Sequence, residues 1–317
     1  MAELVRLKDA GDSLDRGFEK GYEQGLTTHV KSLDKHFRWM TGHVIIFFGM
    51  PNYSKSTLVN QLLMLRAIKE GKKFALWSPE FAPLDFFYLD LMHTYLGKSP
   101  HYHHRVNKMN RDEFEYAKEF VHDHFFYFKV GKGGDYVKNI NDGFKRVIDE
   151  HGINTIVTDP YNKIRGMRGD RDDHILEDFF DIETAFAQDN NVSNIIVMHT
   201  NGSVGREESG NFKMPDIFNV AGGAMTGNRV EDMIAIHRPY GKTDPDDTIM
   251  WVESVKIKKP VLCGKRGRIS MYFDPIRNRI IDGVVDANDN VTLYDPFNNY
   301  MRWVEFGKED DNEPLPF

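Results

Sequence analysis

The 317-residue chain has a single cysteine, Cys263, so no disulfide framework can form within it and stability must come from a packed core. A chain this poor in thiols fits a reducing compartment and points to the cytoplasm. No apolar run approaches the ~20 residues needed to span a bilayer, and the polar, acidic N-terminal stretch does not read as a secretion signal. An excess of positive charge is missing too: 41 Lys and Arg stand against 48 Asp and Glu, a formal net charge of −7. That balance excludes a globally basic nucleic-acid coat, while leaving room for a local basic surface that grips a polyanion. Internal repeats and linker-like stretches are lacking between residues 40 and 300, which reads as one domain. What the chain does have is core material, with 40% hydrophobic and 13% aromatic residues.

From Gly42 onward, strand-like and helix-like runs alternate. HVIIFF is followed by a helix over 55–70, KFALWS by a helix near 84–95, and a further helix lies near 111–122. HFFYFKV (124–130) leads to a helix at about 135–150, INTIVTD (153–159) to one at about 172–189, and NIIVMHT (194–200) follows. Nearly unbroken apolar strands separated by helices predict a mostly parallel sheet covered on both faces. After residue 230 the pattern changes to EDMIAIHR, TIMWVESVKI, RISMYFD and RIIDGVV with turn-rich links and no helix, which predicts an antiparallel C-terminal extension of the same sheet.

The first strand runs straight into GMPNYSKST, the layout of a phosphate-binding loop, G-x-x-x-x-G-K-[ST]. Gly49 holds the first glycine position; Pro51, Asn52 and Tyr53 fill the loop; Ser54 stands where the second glycine belongs; Lys55, Ser56 and Thr57 open the helix. Backbone N–H groups of such a loop and the helix N-terminus face phosphate oxygens. Lys55 is expected to reach the β- and γ-phosphates of a nucleoside triphosphate, and the Ser56 hydroxyl to ligate Mg²⁺. Ser54 predicts either a tolerated backbone conformation or an altered cradle, because glycine there normally avoids strain.

Three further residues end strands. Asp159 closes INTIVTD, where a carboxylate serves as the metal aspartate of a P-loop enzyme. Glu80 lies just past FALWS and is placed to polarise a water for attack on a γ-phosphate. His199 closes IIVMH and is placed to contact that phosphate and report its loss. The glycine-rich stretch that follows, Asn201 to about Arg229, reads as a long, mobile, structureless segment of the kind that carries function. In it Arg206, Lys213 and Arg229, with the amides around Gly222 and Gly223, could hold a phosphate backbone. Lys256, Lys258, Lys259, Lys265, Arg266 and Arg268 fall within thirteen residues. They read either as a solvated basic face or as cations that reach a neighbouring subunit's nucleotide or line a nucleic-acid channel. The histidines at 101, 103, 104, 122 and 124 come with no second ligand pattern and are assigned to surface and loop.

Both ends read as separate from this body. In residues 1–28, Gly17, Gly21 and Gly25 recur at helical spacing beside Phe18 and Tyr22, which predicts either a helix able to pack closely on another surface or a frayed polar leader. The body then covers 29–300, and residues 301–317 form an acidic tail expected to be disordered.

Taken in order, these pieces resemble the ATPase domain of the hexameric replicative DNA helicases, the RecA-like family of DnaB, the bacteriophage T7 helicase-primase and Twinkle. The resemblance covers about residues 25 to 285 and rests on GLTTHVKSLDKHF, GMPNYSKST, FALWSPE, TIVTDPYNKI, IIVMHT and EDMIAIHRP followed by VKIKKP. It implies a RecA-like P-loop NTPase that uses Mg²⁺ and ATP, or dTTP or another NTP, at the interfaces of a homo-oligomeric ring, translocates on single-stranded DNA and unwinds duplex. It makes Glu80 the catalytic base, Asp159 the metal aspartate and His199 the phosphate sensor. Arg238 and Phe273 fall near the positions that sandwich the nucleotide base. The family's Lys-x-Arg pair, which acts on the neighbour's γ-phosphate, reads here Lys256-Ile257-Lys258, so Lys258 stands at the arginine-finger position without the bidentate fork of arginine. Ala221 stands where an arginine would be expected in the DNA-loop region. The resemblance further implies a subunit-docking role for residues 1–28, recruitment of a DNA polymerase, primase or loader by the acidic tail, and a stand-alone module from a phage acting in the host cytoplasm. Two other readings of the same residues are a RecA-like recombinase or DNA-dependent ATPase regulator that does not unwind, and a non-catalytic nucleotide-binding scaffold.

Overall fold

The computed structural model describes residues 6–7, 11–80, 83–104, 106–130, 136–161, 172–285 and 291–297. Its centre is the strand β1 (Val44–Gly49), buried along its whole length. Alternation sends Ile45 and Phe47 to one face of the sheet and Val44, Ile46 and Phe48 to the other, so both faces need cover. On the first face that cover is α2 (Lys55–Glu70), α3 (Leu84–Leu96) and α4 (Arg111–His124), through Leu58, Leu62, Leu91 and Val121. On the second it is α5 (Tyr136–His151) and α6 (Asp172–Asp189), through Ile140, Phe144, Leu176 and Phe180. Each fully buried Phe or Leu contributes about 1.5–3 kcal/mol.

The remaining strands are β2 (Phe74–Trp77), β3 (Phe125–Tyr127), β4 (Thr155–Thr158), β5 (Ser193–His199), β6 (Asp232–His237), β7 (Ile249–Ile257), β8 (Gly267–Asp274), β9 (Arg279–Val285) and β10 (Val291–Tyr294). The ten form one sheet in the order β10-β9-β8-β7-β6-β1-β5-β4-β2-β3. From β3 to β6 all pairings are parallel, and from β6 to β10 all are antiparallel. The expected parallel sheet with an antiparallel extension is what forms, with β10 as an added edge strand that the sequence pattern did not reveal. Local signals set the helix ends. Gly71 (φ 63°) closes α2, its N–H donating to the Ala67 carbonyl while Lys72 donates to that of Arg66. Asn110 with Glu113 forms a reciprocal cap at the start of α4.

Three stretches differ from expectation. The first helix, α1 (Asp12–Lys20), stops at Gly21 (φ 75°), so Tyr22 and Gly25 are not on it. Tyr22 instead folds back onto Gly17, where a Cβ would lie 2.5 Å from its ring, and Gly25 already joins the body by donating to the Leu262 carbonyl at 2.9 Å. The glycine-rich stretch is not structureless. It holds a short 3-10 turn (Ile217–Asn219), a helix α7 (Ala224–Arg229) and bridges pairing Thr200 with Val220 and Arg206 with Phe212. Its buried Val204, Val220 and Thr226 anchor it. A four-residue helix, α8 (Pro260–Cys263), interrupts the region expected to lack helices, with proline at its first position where no N–H is needed. The acidic tail at 301–317 lies outside the described residues.

Candidate functional site

Parallel strands deliver their C-terminal ends to one edge, and the sheet order decides which ends are neighbours. β6, β1, β5, β4 and β2 are consecutive. The loop after β1, His199 at the end of β5, Asp159 just past β4 and Glu80 just past β2 therefore line one continuous edge, the crevice where open α/β sheets bind ligands. Gly49 and His199 are direct partners in the β1–β5 register.

The loop 49–55 shows why its residues are what they are. A Cβ at Gly49 would collide with the Ile236 carbonyl oxygen, so only glycine lets β1 leave the sheet against β6. Asn52 (φ 63°) and Ser54 (φ 60°, ψ 26°) both lie in the left-handed region, the kind of backbone from which a nest of N–H groups for an anion can be built. Asn tolerates that region and Ser does not favour it. Ser54 thus takes the backbone conformation that a glycine would, as the motif requires, at a cost in strain. As N-cap of α2 it makes no side-chain capping bond. Pro51 is exposed, Thr57 is half-buried in the first turn of α2, and Tyr53 is buried beside His237 with ring centroids 5.7 Å apart.

Lys55 is only 4% exposed, and its ammonium donates to the Met50 carbonyl at 2.8 Å. Burial lowers its pKa to about 8, against the opposing pull of Asp159 and Glu80. Asp159 is 7% exposed, and burial pushes its carboxyl up to about 6, although a hydrogen bond from Ser56 and the charge of Lys55 favour the ionised form. A buried carboxylate with a hydroxyl on it and an ammonium close by is a donor set that fits a divalent cation on a polyphosphate. Glu80 is more exposed, with its carboxylate 4.0 Å from His199 Nε2. The structure thus brings together the loop, Lys55, Ser56, Asp159, Glu80 and His199.

The other expected residues divide. Arg238 follows β6 next to the loop, but its guanidinium turns to the Pro245 and Asp247 carbonyls and braces the turn 238–247. Phe273, on β8 two strands from β6, packs partly buried against the core on the α2–α4 face of the sheet. Arg206 stands exposed over the Phe212 ring at 5.0 Å, and Lys213 is exposed beside it. Arg229 is drawn to α6 instead, where Asp181 and Glu177 match its charge. Gly222 (φ 76°) permits close approach to α6, since a Cβ there would meet Leu176 at 2.5 Å, and Gly223 (φ 49°) starts α7. Lys258 is half-exposed and pairs with Glu231 of its own chain at 3.1 Å, while Lys256 donates to the Gly227 and Val230 carbonyls.

Cys263 lies at the opposite edge, with His43 and Asp232. Among the described residues this is the group compact enough to consider for a metal, and His43 Nδ1 already bonds Asp232 at 2.8 Å. Burial and Asp232 raise the Cys263 thiol to about 12, so it stays protonated. Of the histidines, His101 and His104 come within 6.4 Å, ring to ring, of the buried His93, which had no sequence signal; His104 Nδ1 is engaged by Ser99 at 2.7 Å.

A P-loop at the edge of a parallel sheet with an antiparallel extension is the RecA-like NTPase architecture, and solved structures and sequence point to the same class. No family model matches the chain. Its structure is similar to that of a DnaB-like replicative helicase solved in a study of its interactions with primase (TM-score 0.70, 14% identity, covering 87% of this chain and 68% of that one). It is equally similar to a second solved ATPase domain (TM-score 0.70, 12% identity, covering 88% of this chain and 99% of that domain). In sequence it is 25% identical over 282 residues to the Twinkle homolog protein, chloroplastic/mitochondrial, of Arabidopsis thaliana. That match covers 86% of this chain and 38% of the relative, so the chain spans well under half of that protein's length. The resemblance read from the motifs therefore holds in sequence and in fold.

Proposed function

We propose that this chain is the motor of a replicative-type DNA helicase, an NTPase that couples hydrolysis to movement on single-stranded DNA and to duplex unwinding. The observation that carries the reading is the meeting of the P-loop, Asp159, Glu80 and His199 along one sheet edge. Loop amides and Lys55 hold the triphosphate, and Ser56 with Asp159 would hold Mg²⁺, which supplies charge neutralisation on the phosphates. Glu80 accepts a proton from the attacking water as the bond between the β- and γ-phosphates breaks. His199, in contact range of Glu80, senses the departing phosphate.

Relatives of this kind support further proposals. Single-stranded DNA is the substrate, the chain assembles into a homo-oligomeric ring in which Lys258 serves the neighbour's site, and a primase, polymerase or loader is the partner. Arg206 and Lys213 are the strand contacts this reading favours, because their charges face solvent while Arg229 is neutralised. Arg238 and Phe273 remain proposed base contacts. No described helix is long and apolar enough to cross a membrane, and the proposed compartment is the cytoplasm.

The test is hydrolysis with and without single-stranded DNA, together with strand displacement on a forked duplex. DNA-stimulated hydrolysis that is lost in Glu80→Gln supports a catalytic motor and rules out a scaffold. Hydrolysis without displacement by the assembled oligomer assigns the chain to the non-unwinding ATPases instead.

A further inference from the structure

The loop that carries Arg206 and Lys213 is fastened to the P-loop side of the molecule by residues that no motif contains. Asn211, only 3% exposed, holds Thr243 through a donated bond from Nδ2 to Thr243 Oγ1 at 2.9 Å. Its Oδ1 accepts from the Thr243 hydroxyl at 3.1 Å and from the Thr243 backbone N–H at 3.2 Å. The adjacent Phe212 ring carries both the Arg206 guanidinium, 5.0 Å from its centre, and the Lys242 ammonium, 5.3 Å from it. Thr243 and Lys242 belong to the turn 238–247, and that turn lies against the P-loop. A Cβ at Gly241 would sit 3.5 Å from the ring of Tyr53.

Behind the latch stands His237. It is 1% exposed, packed between Tyr53 at 5.7 Å and Trp251 at 5.9 Å, and bonded to the Phe212 backbone. Burial, with Arg268 adding repulsion, lowers its pKa to about 4, so near neutral pH it is an uncharged, fixed wedge. Tyr53 in the nucleotide loop is thus joined to the cationic loop by two contiguous routes, one through His237 to Phe212 and one through Gly241 and Thr243 to Asn211.

The geometry points to the Asn211–Thr243 latch as a coupling element, a pair of positioning residues that holds the Arg206 and Lys213 loop in register with the P-loop so that nucleotide state and strand grip change together. This rests on the proposed function. Neither residue belongs to the P-loop, and the hydrogen bonds their side chains make join them to each other, to Ser209 and to the Tyr240 carbonyl rather than to Asp159 or Glu80. Their loss should therefore spare hydrolysis in the absence of DNA and reduce what DNA adds to it.

The full chain is tested as Thr243→Val, which removes the hydroxyl on an exposed turn, and as Thr243→Ser, which keeps it. Basal hydrolysis, its stimulation by oligo-dT and the KM for ATP are measured for each. Coupling between sites is commonly at least about 5-fold. The expected result is a loss of stimulation by roughly that factor in Thr243→Val, with basal rate and KM within about two-fold of wild type, and restored stimulation in Thr243→Ser. Equal stimulation in Thr243→Val and wild type overturns the coupling role, as does an equal loss in Thr243→Ser. A wild type that hydrolyses ATP with no response to DNA overturns the functional reading itself, which is a separate outcome.

Discussion

Replacing Ser54 by glycine should stabilise the protein and leave nucleotide binding intact or tighter. Ser54 sits at φ 60°, ψ 26°, a left-handed conformation that costs a non-glycine residue about 1–3 kcal/mol. Glycine removes that strain but loses about 0.5–1 kcal/mol to the greater freedom of the unfolded chain. The Ser54 side chain makes no capping bond to the start of α2, so nothing is lost with the hydroxyl there. The balance favours Ser54→Gly by up to about 2.5 kcal/mol, centred near about 1 kcal/mol, which for a chain of this size raises the melting temperature by a few degrees, about 2–4 °C per kcal/mol. Urea unfolding followed by circular dichroism measures the first quantity, and titration with a fluorescent ATP analogue measures the second. Asn52→Gly serves as the control, with a smaller gain, because asparagine tolerates φ 63° better than serine does. Destabilisation by Ser54→Gly, or loss of ATP binding, would refute the strain argument and the reading of the loop with it.

Four other outcomes follow from the same geometry. Gly49→Ala drives a Cβ into the Ile236 carbonyl, so it should cost about 1–3 kcal/mol in urea unfolding and abolish ATP binding. Glu80→Gln should bind nucleotide like wild type in the same titration while its turnover falls by about 10²–10⁴-fold, the usual worth of a positioned general base. Nucleotide affinity in Mg²⁺ should be bell-shaped in pH. Asp159, raised to about 6, must lose its proton to hold the metal, so the acid limb falls below that value; Lys55, lowered to about 8, must keep its proton, so the alkaline limb falls above it. The same shifts give stability the opposite preferences. The raised Asp159 pKa favours the folded state at low pH, and that contribution is lost as pH rises through about 6, whereas the cost of burying charged Lys55 is relieved as pH rises from about 8 toward its unfolded value. An affinity that stays flat from about pH 5 to 9, a range spanning both values, contradicts both assignments. Finally, Arg206→Ala should lower the salt dependence of single-strand binding by about 0.7 in log–log slope, whereas Arg229→Ala, whose charge Asp181 and Glu177 already match, should leave it unchanged.

Much of this molecule is legible in the order of its residues. The P-loop is contiguous, so its signal survives without a fold. The buried strands read as strands because both faces of a parallel sheet are covered and most positions are apolar, the buried polar exceptions such as Thr155, Ser193 and Asp232 lying near the strand ends. Asp159, Glu80 and His199 stand out because each ends or follows such a strand. The glycine-rich stretch reads as structureless because its buried anchors, Val204, Val220 and Thr226, are scattered at spacings that fit neither a helix nor a strand. The strand β10 escapes notice because it is an edge strand with no buried residue and so no apolar run, unlike the equally short but fully buried β2 and β4, and α8 because a single four-residue turn shows no helical period.

By itself, then, the sequence determined the chemistry available, a phosphate loop with a lysine, two carboxylates and a histidine, and the class of fold able to present it. Only the tertiary structure decided which of those groups meet. The strand order β6-β1-β5-β4-β2 brings together ends that lie as far apart in the chain as Gly49 and His199, and pairing between distant strands leaves no local trace. Tertiary contacts also decided which cations stay available, since Arg229 is matched by α6 and Lys256 is turned onto backbone carbonyls while Arg206 faces solvent. The latch and the wedge are invisible in the sequence for the same reason. Asn211 meets Thr243 across 32 residues between two loops, and His237, at the end of β6, meets Tyr53 of the nucleotide loop across a still longer separation that no local periodicity records.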